Sequence, residues 1–467
     1  MYDVVISGAR VMDPETNLDA VLNVGISGGT ITRITADTLE GRQTIDGTGS
    51  VLSPGFIDIH THEDMSPSSL AGGGFNFPTE IAACAVRTGN TTIVGGNCGG
   101  SNYPTASYLD ALNKKALPVN CLSLVGNSTL RKQLGIGEYD SAAPEQIVQM
   151  KQMAIEALDE GAVGVSFGLQ YAPGTSFEEL IALCEAVAEK NKFFAVHMRY
   201  DTPNKAIETV DEVLKAAKQT GASLEISHYA ANVYGQVAGS REQGASNIAV
   251  TAEMIQKAID SGLDIAADVY PYDTWATSLK SAVFDNGFDD FNFKVEDLEI
   301  LSGPLAGKYC TKTLFKMLRA SPIDTAVACH NAIPLADIQA AYKLPFVSVG
   351  SDAVLSKVKL PGMKKEILMC HPRAAGSPAR FLREFVLGNN AASVMPLMDG
   401  LRKLTLMPAR KLKLAKKGRL QEGCDADLCL FDPETIADQA TYGIKGCALP
   451  PMGIKAVIVG GKEMYKN

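Results

Sequence analysis

The chain has 467 residues, a hydrophobic fraction of 46%, a charged fraction of 20% and a formal net charge of −9. This length allows a large buried core, and the composition is that of a globular protein. The acidic balance argues against nucleic acid or an anionic membrane as a partner. No apolar run is long enough to span a bilayer.

The start of the chain and its cysteines indicate a compartment. The first residues show no basic region, apolar core and cleavage site in succession, so they predict a strand of the mature protein. The ten cysteines are scattered along the chain. Both features predict a cytoplasmic protein with reduced thiols.

Both ends of the chain carry antiparallel β patterning. Residues 1–53 alternate apolar and polar side chains in short pieces separated by Gly, Asp and Asn, and the pattern returns at 416–467. We predict a small β-sandwich domain formed by the two terminal segments. Two unrelated terminal extensions are the alternative.

Between these ends, apolar strands alternate with helical patterns, which predicts an α/β fold with a (β/α)8 TIM-like barrel over 54–415. The expected strands are 54–60, 91–97, 120–125, 162–168, 193–197, 223–228, 264–270 and 346–351. The expected helices are 104–115, 144–160, 176–190, 203–220 and 251–262. A Phe- and Asp-rich stretch at 278–312 interrupts this rhythm after the seventh strand, and we predict that it forms a lid over the rim.

Metal-binding side chains stand at the ends of several predicted strands. The chain has six histidines, and four of them lie at such ends. His60 and His62 share one face of their strand because alternate side chains point the same way, so they form a clamp for a divalent metal. The predicted metal-binding residues are His60, His62, Cys98, His197, His228 and Asp352.

Asp352 ends the last predicted strand, in the segment FVSVGSDA. A carboxylate at this place would lie across the barrel mouth from His60. It could take a proton from a water molecule and return it to a leaving group, so we predict that Asp352 is the catalytic residue. An N-cap for the following helix is the alternative.

Several motifs together resemble one family. The segment GFIDIHTHED, the two later histidines and GSDA are similar to the amidohydrolase superfamily. Finer motifs resemble its N-acyl-D-amino-acid deacylase (D-aminoacylase) branch, over nearly the whole chain. These motifs are GGNCG at 95–99, GNSTLR at 126–131, GAVGVSFGLQY at 161–171, HMRY at 197–200, ISHY at 226–229, DVYPYDT at 268–274, HPRAAGS at 371–377 and the closing GRLQEGCDADLCLFDPETIADQATY.

This resemblance implies a zinc site in which a thiolate replaces the carboxylated lysine of related hydrolases. The fourth predicted strand contains no lysine, and Cys98 is available. The resemblance assigns one tightly bound zinc to Cys98, His197 and His228. It leaves His60, His62 and Asp352 for a weaker second site or for orienting water. One thiolate and two neutral imidazoles leave an open position on zinc.

The resemblance also implies an N-acyl-D-amino acid as substrate, with a free carboxylate beside the amide. Arg373 is the best candidate to bind that carboxylate, because a guanidinium can donate two parallel hydrogen bonds. Tyr270, Tyr171 and Arg199 are further candidates for substrate binding, with a rim salt bridge or simple packing as the alternative. One departure is that Ala230 stands where the family places a lysine, after Ser227-His228-Tyr229.

We therefore predict a zinc-dependent amidohydrolase that converts N-acyl-D-amino acids to a carboxylate and a free D-amino acid, with a homo-oligomer as a further expectation. A cyclic amidase of the dihydroorotase or hydantoinase kind is one alternative, although it normally needs the bridging lysine. A deacylase of a different acylated amine is another, since the substrate-binding lysine is missing. A non-catalytic structural subunit is the third, and it would have a broken ligand set.

Overall fold

The structure is a computed structural model. It describes residues 1–64, 74–237, 246–289, 291, 293–358, 367–388, 393–443 and 446–467.

The strands, in chain order, are β1 (Tyr2–Asp13), β2 (Leu18–Ser27), β3 (Thr30–Thr35), β4 (Gly41–Asp46), β5 (Val51–Pro54), β6 (Phe56–Asp58), β7 (Asn90–Gly95), β8 (Asn120–Ser123), β9 (Val125–Gly126), β10 (Gly164–Gly168), β11 (Phe193–His197), β12 (Ser223–Ile226), β13 (Ile265–Val269), β14 (Trp275–Ser278), β15 (Leu298–Ile300), β16 (Ala326–Cys329), β17 (Val347–Val349), β18 (Leu355–Val358), β19 (Ile367–Cys370), β20 (Leu428–Phe431), β21 (Ile454–Val459) and β22 (Lys462–Lys466).

The α-helices are α1 (Thr79–Arg87), α2 (Thr105–Asn113), α3 (Asn127–Gln133), α4 (Pro144–Asp159), α5 (Phe177–Glu189), α6 (Ala206–Thr220), α7 (Tyr229–Val233), α8 (Asn247–Asp260), α9 (Lys312–Ala320), α10 (Leu335–Tyr342), α11 (Arg373–Phe381), α12 (Leu397–Leu404) and α13 (Leu406–Lys411). Helix α11 continues as a π-helix over Leu382–Leu387. Within the described ranges, every helix is too short or too polar to cross a membrane.

Both ends of the chain join one eight-stranded sheet. Its order is β22-β21-β20-β5-β1-β2-β3, and β4 pairs with β1. One face of this sheet encloses a core of its own, with Val4 and Ile6 from the start of the chain and Leu428 and Ile458 from its end. Strands from the start and the end of the chain therefore share one sheet and one core.

Parallel strands form the middle of the molecule. One sheet has the order β6-β7-β8, and a second has the order β17-β13-β12-β11-β10-β9. All pairs in these two sheets are parallel, and helices connect most consecutive strands. This is a TIM-barrel-like α/β arrangement, and each of the eight predicted strand segments overlaps an observed strand.

Helix α5 illustrates why the predicted helices form. The Ser176 hydroxyl accepts a hydrogen bond from the Glu179 backbone N–H at 3.2 Å, which caps the first turn. Leu180, Leu183 and Val187 then bury one face of the helix. The observed bounds differ from the predicted 176–190 by one residue at each end.

The predicted lid segment contributes to a separate small sheet. Strands β14, β16 and β15 pair antiparallel in that order, and they lie between β13 and β17 in the chain. Aromatic rings pack on this sheet, where Trp275 stacks on Phe284 at 6.1 Å and meets the Phe293 ring edge-on at 5.4 Å. Within 278–312, residues 290 and 292 lie outside the described residues.

Glu225 of β12 is a buried carboxylate that is not among the candidate metal ligands. It is 2% exposed, and neither carboxylate oxygen has a hydrogen-bond partner in the described structure. Burial raises its pKa to about 8, which the nearby Lys411 ammonium opposes. The folded protein therefore binds a proton at Glu225 that the unfolded chain releases above about pH 4.3, and stability falls as pH rises from there to about 8.

Replacing Glu225 with glutamine is expected to stabilise the protein by about 1–3 kcal/mol at pH 8, because it removes the cost of a buried charge. The gain should shrink toward zero at pH 5, where the wild-type side chain is protonated. Thermal unfolding of both proteins between pH 5 and 9 measures this. Glu189→Gln, at an exposed position on α5, is the control. An equal or smaller gain at pH 8 than at pH 5 would contradict this explanation.

Candidate metal centre

Six predicted metal ligands converge at the carboxyl ends of the parallel strands. This is the end of a TIM-like barrel where active sites lie. The ligand positions are His60 and His62 after β6, Cys98 after β7, His197 at the end of β11, His228 after β12, and Asp352 after β17.

The ligand atoms form two groups that share Cys98. His60, His62, Cys98 and Asp352 form one group, and Cys98, His197 and His228 form the other. Within each group all ligand atoms lie within 4.8 Å of one another. Cys98 Sγ lies 3.4 Å from His60 Nε2 and 3.7 Å from His228 Nε2. The spacing is that of side chains able to contact a common ion.

In two of the histidines, one ring nitrogen is hydrogen-bonded to a neighbouring side chain, and the other nitrogen is left for a metal. His228 Nδ1 donates to Asn232 Oδ1 at 3.0 Å, so Nε2 is left to face Cys98. His197 Nε2 donates to Asp201 Oδ2 at 3.1 Å, and its buried Nδ1 has no hydrogen-bond partner in the described structure. A buried polar atom without a partner needs an explanation, and an ion supplies one. The donor set of one thiolate and two imidazoles therefore fits zinc.

The electrostatics of Cys98 also suit a metal ligand. Burial opposes its ionisation, but the surrounding imidazoles, that of His60 first, hold the pKa of the thiol well below its usual value. The thiolate is the form of cysteine that binds metals.

Asp268 orients His60, which follows β6. His60 Nδ1 donates to Asp268 Oδ2 at 3.0 Å, which leaves His60 Nε2 for the centre. Asp268 Oδ1 also accepts the backbone N–H of His228 at 2.9 Å. One carboxylate thus fixes ligand segments from two strands, a common arrangement behind metal-bound histidines.

A tight loop holds Cys98. Its backbone has φ of +52°, and its carbonyl packs so closely on Gly168 that a Cβ there would lie 2.2 Å from the carbonyl oxygen. Asn97 Nδ2 donates to the backbone carbonyls of Ile59 and Thr61 at 3.3 and 3.2 Å. His228 and Asp352 also have positive φ, of 35° and 50°. Such backbone strain concentrates at functional sites.

Asp352 lies between the histidines and Arg373. Its Oδ1 is 3.0 Å from His62 Nε2, and its Oδ2 is 2.8 Å from Arg373 Nη2. Burial would raise its pKa, but the Arg373 guanidinium holds the pKa of this carboxyl well below its usual value. Asp352 is therefore an ionised carboxylate that can accept a proton.

Arg373 is 2% exposed and stacks over the Tyr270 ring at 4.7 Å. Its Nε and Nη1 atoms have no hydrogen-bond partner in the described structure. The sequence predicted that Arg373 binds a substrate carboxylate. The structure adds an unpredicted partner, Asp352, so this guanidinium also supports the candidate catalytic group.

The Arg199 guanidinium is held by other groups of the protein. The sequence proposed it as a substrate contact, but its guanidinium is fully engaged elsewhere. Its Nε donates to Glu212 at 3.0 Å, its Nη1 to the Pro173 carbonyl at 3.1 Å and its Nη2 to the Thr175 carbonyl at 2.9 Å. Arg199 lines neither cavity beside the metal ligands. It ties the loop after β10 to helix α6.

Two adjoining cavities give access to the ligands. The smaller, of about 20 Å³, can hold a water molecule and is lined by His197, His228 and Tyr270 among others. The larger, of about 230 Å³, is lined by Cys98, Arg373 and part of the β14-β16-β15 sheet. Tyr171 lines both cavities, and its hydroxyl lies 3.2 Å from Thr277 Oγ1.

Ala230, at the position where the family places a lysine, is buried and does not reach the cavities beside the metal ligands. Ala230 is 1% exposed within α7 and lines neither cavity.

Sequence reasoning missed the supporting residues Asp268, Asn232, Asp201 and Asn97. Asp268 and Asn97 stood inside motifs that had already been recognised, DVYPYDT and GGNCG. Asn232 and Asp201 each follow a predicted ligand histidine by four residues, which was a usable signal.

The fold and this site define a metal-dependent hydrolase of the TIM-barrel-like class. An amidohydrolase family model matches residues 51–464. The chain belongs to the amidohydrolase family, as its motifs predicted.

Named relatives cover essentially the whole chain. A D-aminoacylase from Alcaligenes xylosoxydans xylosoxydans is 27% identical over 100% of this chain and 95% of its own length. An N-acyl-D-glutamate deacylase from the same organism is 28% identical over 99% of this chain and 93% of its own length. The predicted resemblance to the N-acyl-D-amino-acid deacylases is confirmed.

A solved structure also matches over nearly its full length. The N-acyl-D-glutamate deacylase from Bordetella bronchiseptica, in complex with zinc and a phosphonate inhibitor that mimics the tetrahedral intermediate, superimposes with a TM-score of 0.82. It is 26% identical, over 99% of this chain and 96% of that one. The match supports the TIM-barrel-like fold.

Proposed function

We propose that this chain is a zinc-dependent deacylase that hydrolyses N-acyl-D-amino acids to a carboxylate and a free D-amino acid. The observation that carries the proposal is the position of Cys98, whose thiol is shared by two groups of ligands. β10, where related hydrolases carry a bridging lysine, contains none. The two relatives described above, which act on D-amino-acid substrates by name, support the same class of reaction.

For the metal, we propose one tight zinc on Cys98, His197 and His228. The unpartnered His197 Nδ1 and the lowered pKa of Cys98 support this group as the stronger one. A second, weaker position would use His60, His62 and Asp352. Two of these three side chains already contact each other, since His62 and Asp352 lie 3.0 Å apart.

When bound, zinc would polarise the amide carbonyl and lower the pKa of a water molecule. The chain's own groups handle the proton. Asp352 accepts the proton from the attacking water as the new C–O bond forms. It then passes that proton to the nitrogen as the C–N bond breaks, so the amine leaves neutral. Arg373 favours this role because it keeps the Asp352 carboxyl ionised between turnovers.

For substrate binding, we propose that Arg373 holds the free carboxylate. Its two unpartnered N–H groups need an acceptor, and a carboxylate supplies one. Tyr270 lies under the guanidinium and lines the smaller cavity, and Tyr171 lines both, so we propose their hydroxyls as neutral donors to the substrate.

Replacing Arg373 with lysine is expected to lower kcat/KM for an N-acetyl-D-amino acid by about 10- to 100-fold, since a charge-assisted bidentate contact is lost. Steady-state kinetics measure the effect. An N-acetylated amine without the carboxylate serves as the control substrate, and its kcat/KM should fall much less. An equal fall for both substrates would show that Arg373 acts only through Asp352.

We also propose that the two parallel sheets form one closed (β/α)8 barrel, with the terminal sheet as a second domain and 278–312 as a lid. Two backbone hydrogen bonds support the closure of the barrel, because each lies where an end of one parallel sheet meets the other sheet. The Asp352 N–H donates to the His60 carbonyl at 2.8 Å, and the Leu124 N–H, between β8 and β9, donates to the Gly95 carbonyl at 3.0 Å. Cavity-lining residues from the β14-β16-β15 sheet support the lid.

A cyclic amidase is the second candidate. Such enzymes share the pair of histidines that follows β6 here, His60 and His62, and the final aspartate, Asp352. The absence of a lysine from β10 weighs against it. A non-catalytic subunit would have a broken ligand set, whereas all six side chains converge here.

A hydrolysis screen tests the proposal. The zinc-loaded protein is assayed with paired N-acetyl-D- and N-acetyl-L-amino acids and with hydantoins. We expect release of free D-amino acids and little activity on the L-enantiomers. Activity confined to hydantoins would overturn the deacylase assignment in favour of the cyclic amidase.

A further inference from the structure

The outer wall of the larger cavity carries an unbalanced negative charge. This wall comes from the β14-β16-β15 sheet and includes Ser278, Leu301, Asp324 and Ala326. Arg373 is the only lysine or arginine among the described lining residues, and it is already paired with Asp352. Asp324, which is exposed to solvent, therefore lines this cavity without an ion-pair partner among the described residues.

Only one carboxylate oxygen of Asp324 accepts hydrogen bonds from the described residues. Its Oδ1 accepts from the Ser278 hydroxyl at 2.6 Å and from the Thr325 backbone N–H at 2.7 Å. In the described part of the chain, its Oδ2 has no hydrogen-bond partner and Asp324 has no ion pair. The neighbouring Lys280 directs its ammonium to the Pro322 carbonyl, 3.3 Å away. The Ser278 contact thus holds Asp324 in place with one oxygen free.

Apolar side chains lie beside Asp324 in the lining of this cavity. Leu301, Ala326 and Val354 line the same cavity as Asp324. A volume of about 230 Å³ leaves room for a substrate side chain or acyl group. An apolar wall with a carboxylate suits a long aliphatic side chain that ends in a cation, because the stem contacts apolar surface while the head group stays polar.

We propose that Asp324 selects N-acyl-D-amino acids with a basic side chain, such as D-lysine or D-arginine. The proposal rests on the deacylase function proposed above and names its substrate class. The ammonium or guanidinium of the substrate pairs with Asp324 Oδ2, and the stem lies along Leu301, Ala326 and Val354. Acidic side chains are disfavoured at the same place by like-charge repulsion.

Three matched substrates test this specificity. N-acetyl-D-lysine and N-acetyl-D-norleucine share an aliphatic stem and differ in the terminal charge, while N-acetyl-D-glutamate carries the opposite charge. We expect kcat/KM of the zinc-loaded protein to be about 2- to 5-fold higher for the lysine than for the norleucine derivative, as for an exposed ion pair. The glutamate derivative should be the poorest of the three.

Asp324→Asn should bring the lysine-to-norleucine ratio close to one and leave kcat/KM for norleucine unchanged within about twofold. Asp110→Asn, which removes an exposed carboxylate on α2, is the control for net charge and should leave the ratio as in the wild type. High salt should lower the wild-type ratio but not that of Asp324→Asn.

The outcomes separate the two proposals. Hydrolysis of the norleucine derivative without a preference for lysine, or a lysine preference that survives Asp324→Asn, overturns the assignment of Asp324 and leaves the deacylase function standing. Failure of the zinc-loaded wild type to hydrolyse any N-acetyl-D-amino acid overturns the deacylase function and this inference with it.

Discussion

Asp352→Asn is expected to lower kcat by about 10²- to 10⁴-fold while the protein keeps its tightly bound zinc. Asparagine has nearly the same shape but cannot accept the proton that the carboxylate would take from water. The proposed tight site uses Cys98, His197 and His228, none of which is altered. Steady-state kinetics together with metal analysis of the same preparation measure both parts of the expectation.

Asp399→Asn is a suitable control for this substitution, because Asp399 pairs with Arg402 on α12, outside both cavities beside the metal ligands. It should leave kcat and zinc content unchanged. Full activity of Asp352→Asn with zinc still bound would show that another group moves the proton. Loss of zinc along with activity would place Asp352 in the tight site instead.

Cys98→Ala should remove the tight zinc and lower activity by more than about 10³-fold, because the thiolate is the anionic ligand that Cys98 adds to His197 and His228. The zinc content after dialysis is expected to fall from about one ion per chain to a small fraction of one. Quantitative elemental analysis measures the metal, and hydrolysis of an N-acetyl-D-amino acid measures the activity.

Cys121→Ser is the matched control for Cys98→Ala. Cys121 is also a free, partly buried cysteine, but it belongs to neither group of candidate ligands. Its replacement should leave zinc content and activity near wild type. If Cys98→Ala kept a full complement of zinc, the metal would have to rest on histidines and Asp352, and the thiolate-based site proposed here would be wrong.

The candidate ligands were predictable because each stands at the end of a short apolar strand. In a parallel α/β fold these ends meet at one face, so His60, Cys98 and His197 could be grouped without knowing any distance. The strand positions followed from the same patterns. The observed β10 and β11 lie at the predicted segments 162–168 and 193–197.

The pairing of charged side chains was not predictable in this way. Arg373 and Asp352 are 21 residues apart, and no local pattern indicates that their side chains meet. The ion pair of Arg199 was not predictable for the same reason, since its partner Glu212 lies on the following helix. Charge pairs depend on how whole elements pack, whereas strand ends depend mainly on local sequence.

The inserted segment shows the same limit. Its many Phe residues marked an interruption of the α/β rhythm, but the antiparallel sheet that it helps to form uses β16, which lies beyond the predicted 278–312. The partner strand came from a stretch with no distinctive composition. The sequence therefore could not predict that Asp324 lines the cavity, because this depends on how β14, β15 and β16 pair.

The most direct test of the metal centre is a crystal structure of the zinc-loaded protein with an anomalous map at the zinc edge. The expected result is one strong peak about 2.3 Å from Cys98 Sγ and about 2.0–2.1 Å from His197 Nδ1 and His228 Nε2. A weaker peak near His60, His62 and Asp352 would agree with it. A strong peak bound by those three residues, with Cys98 out of reach, would contradict it.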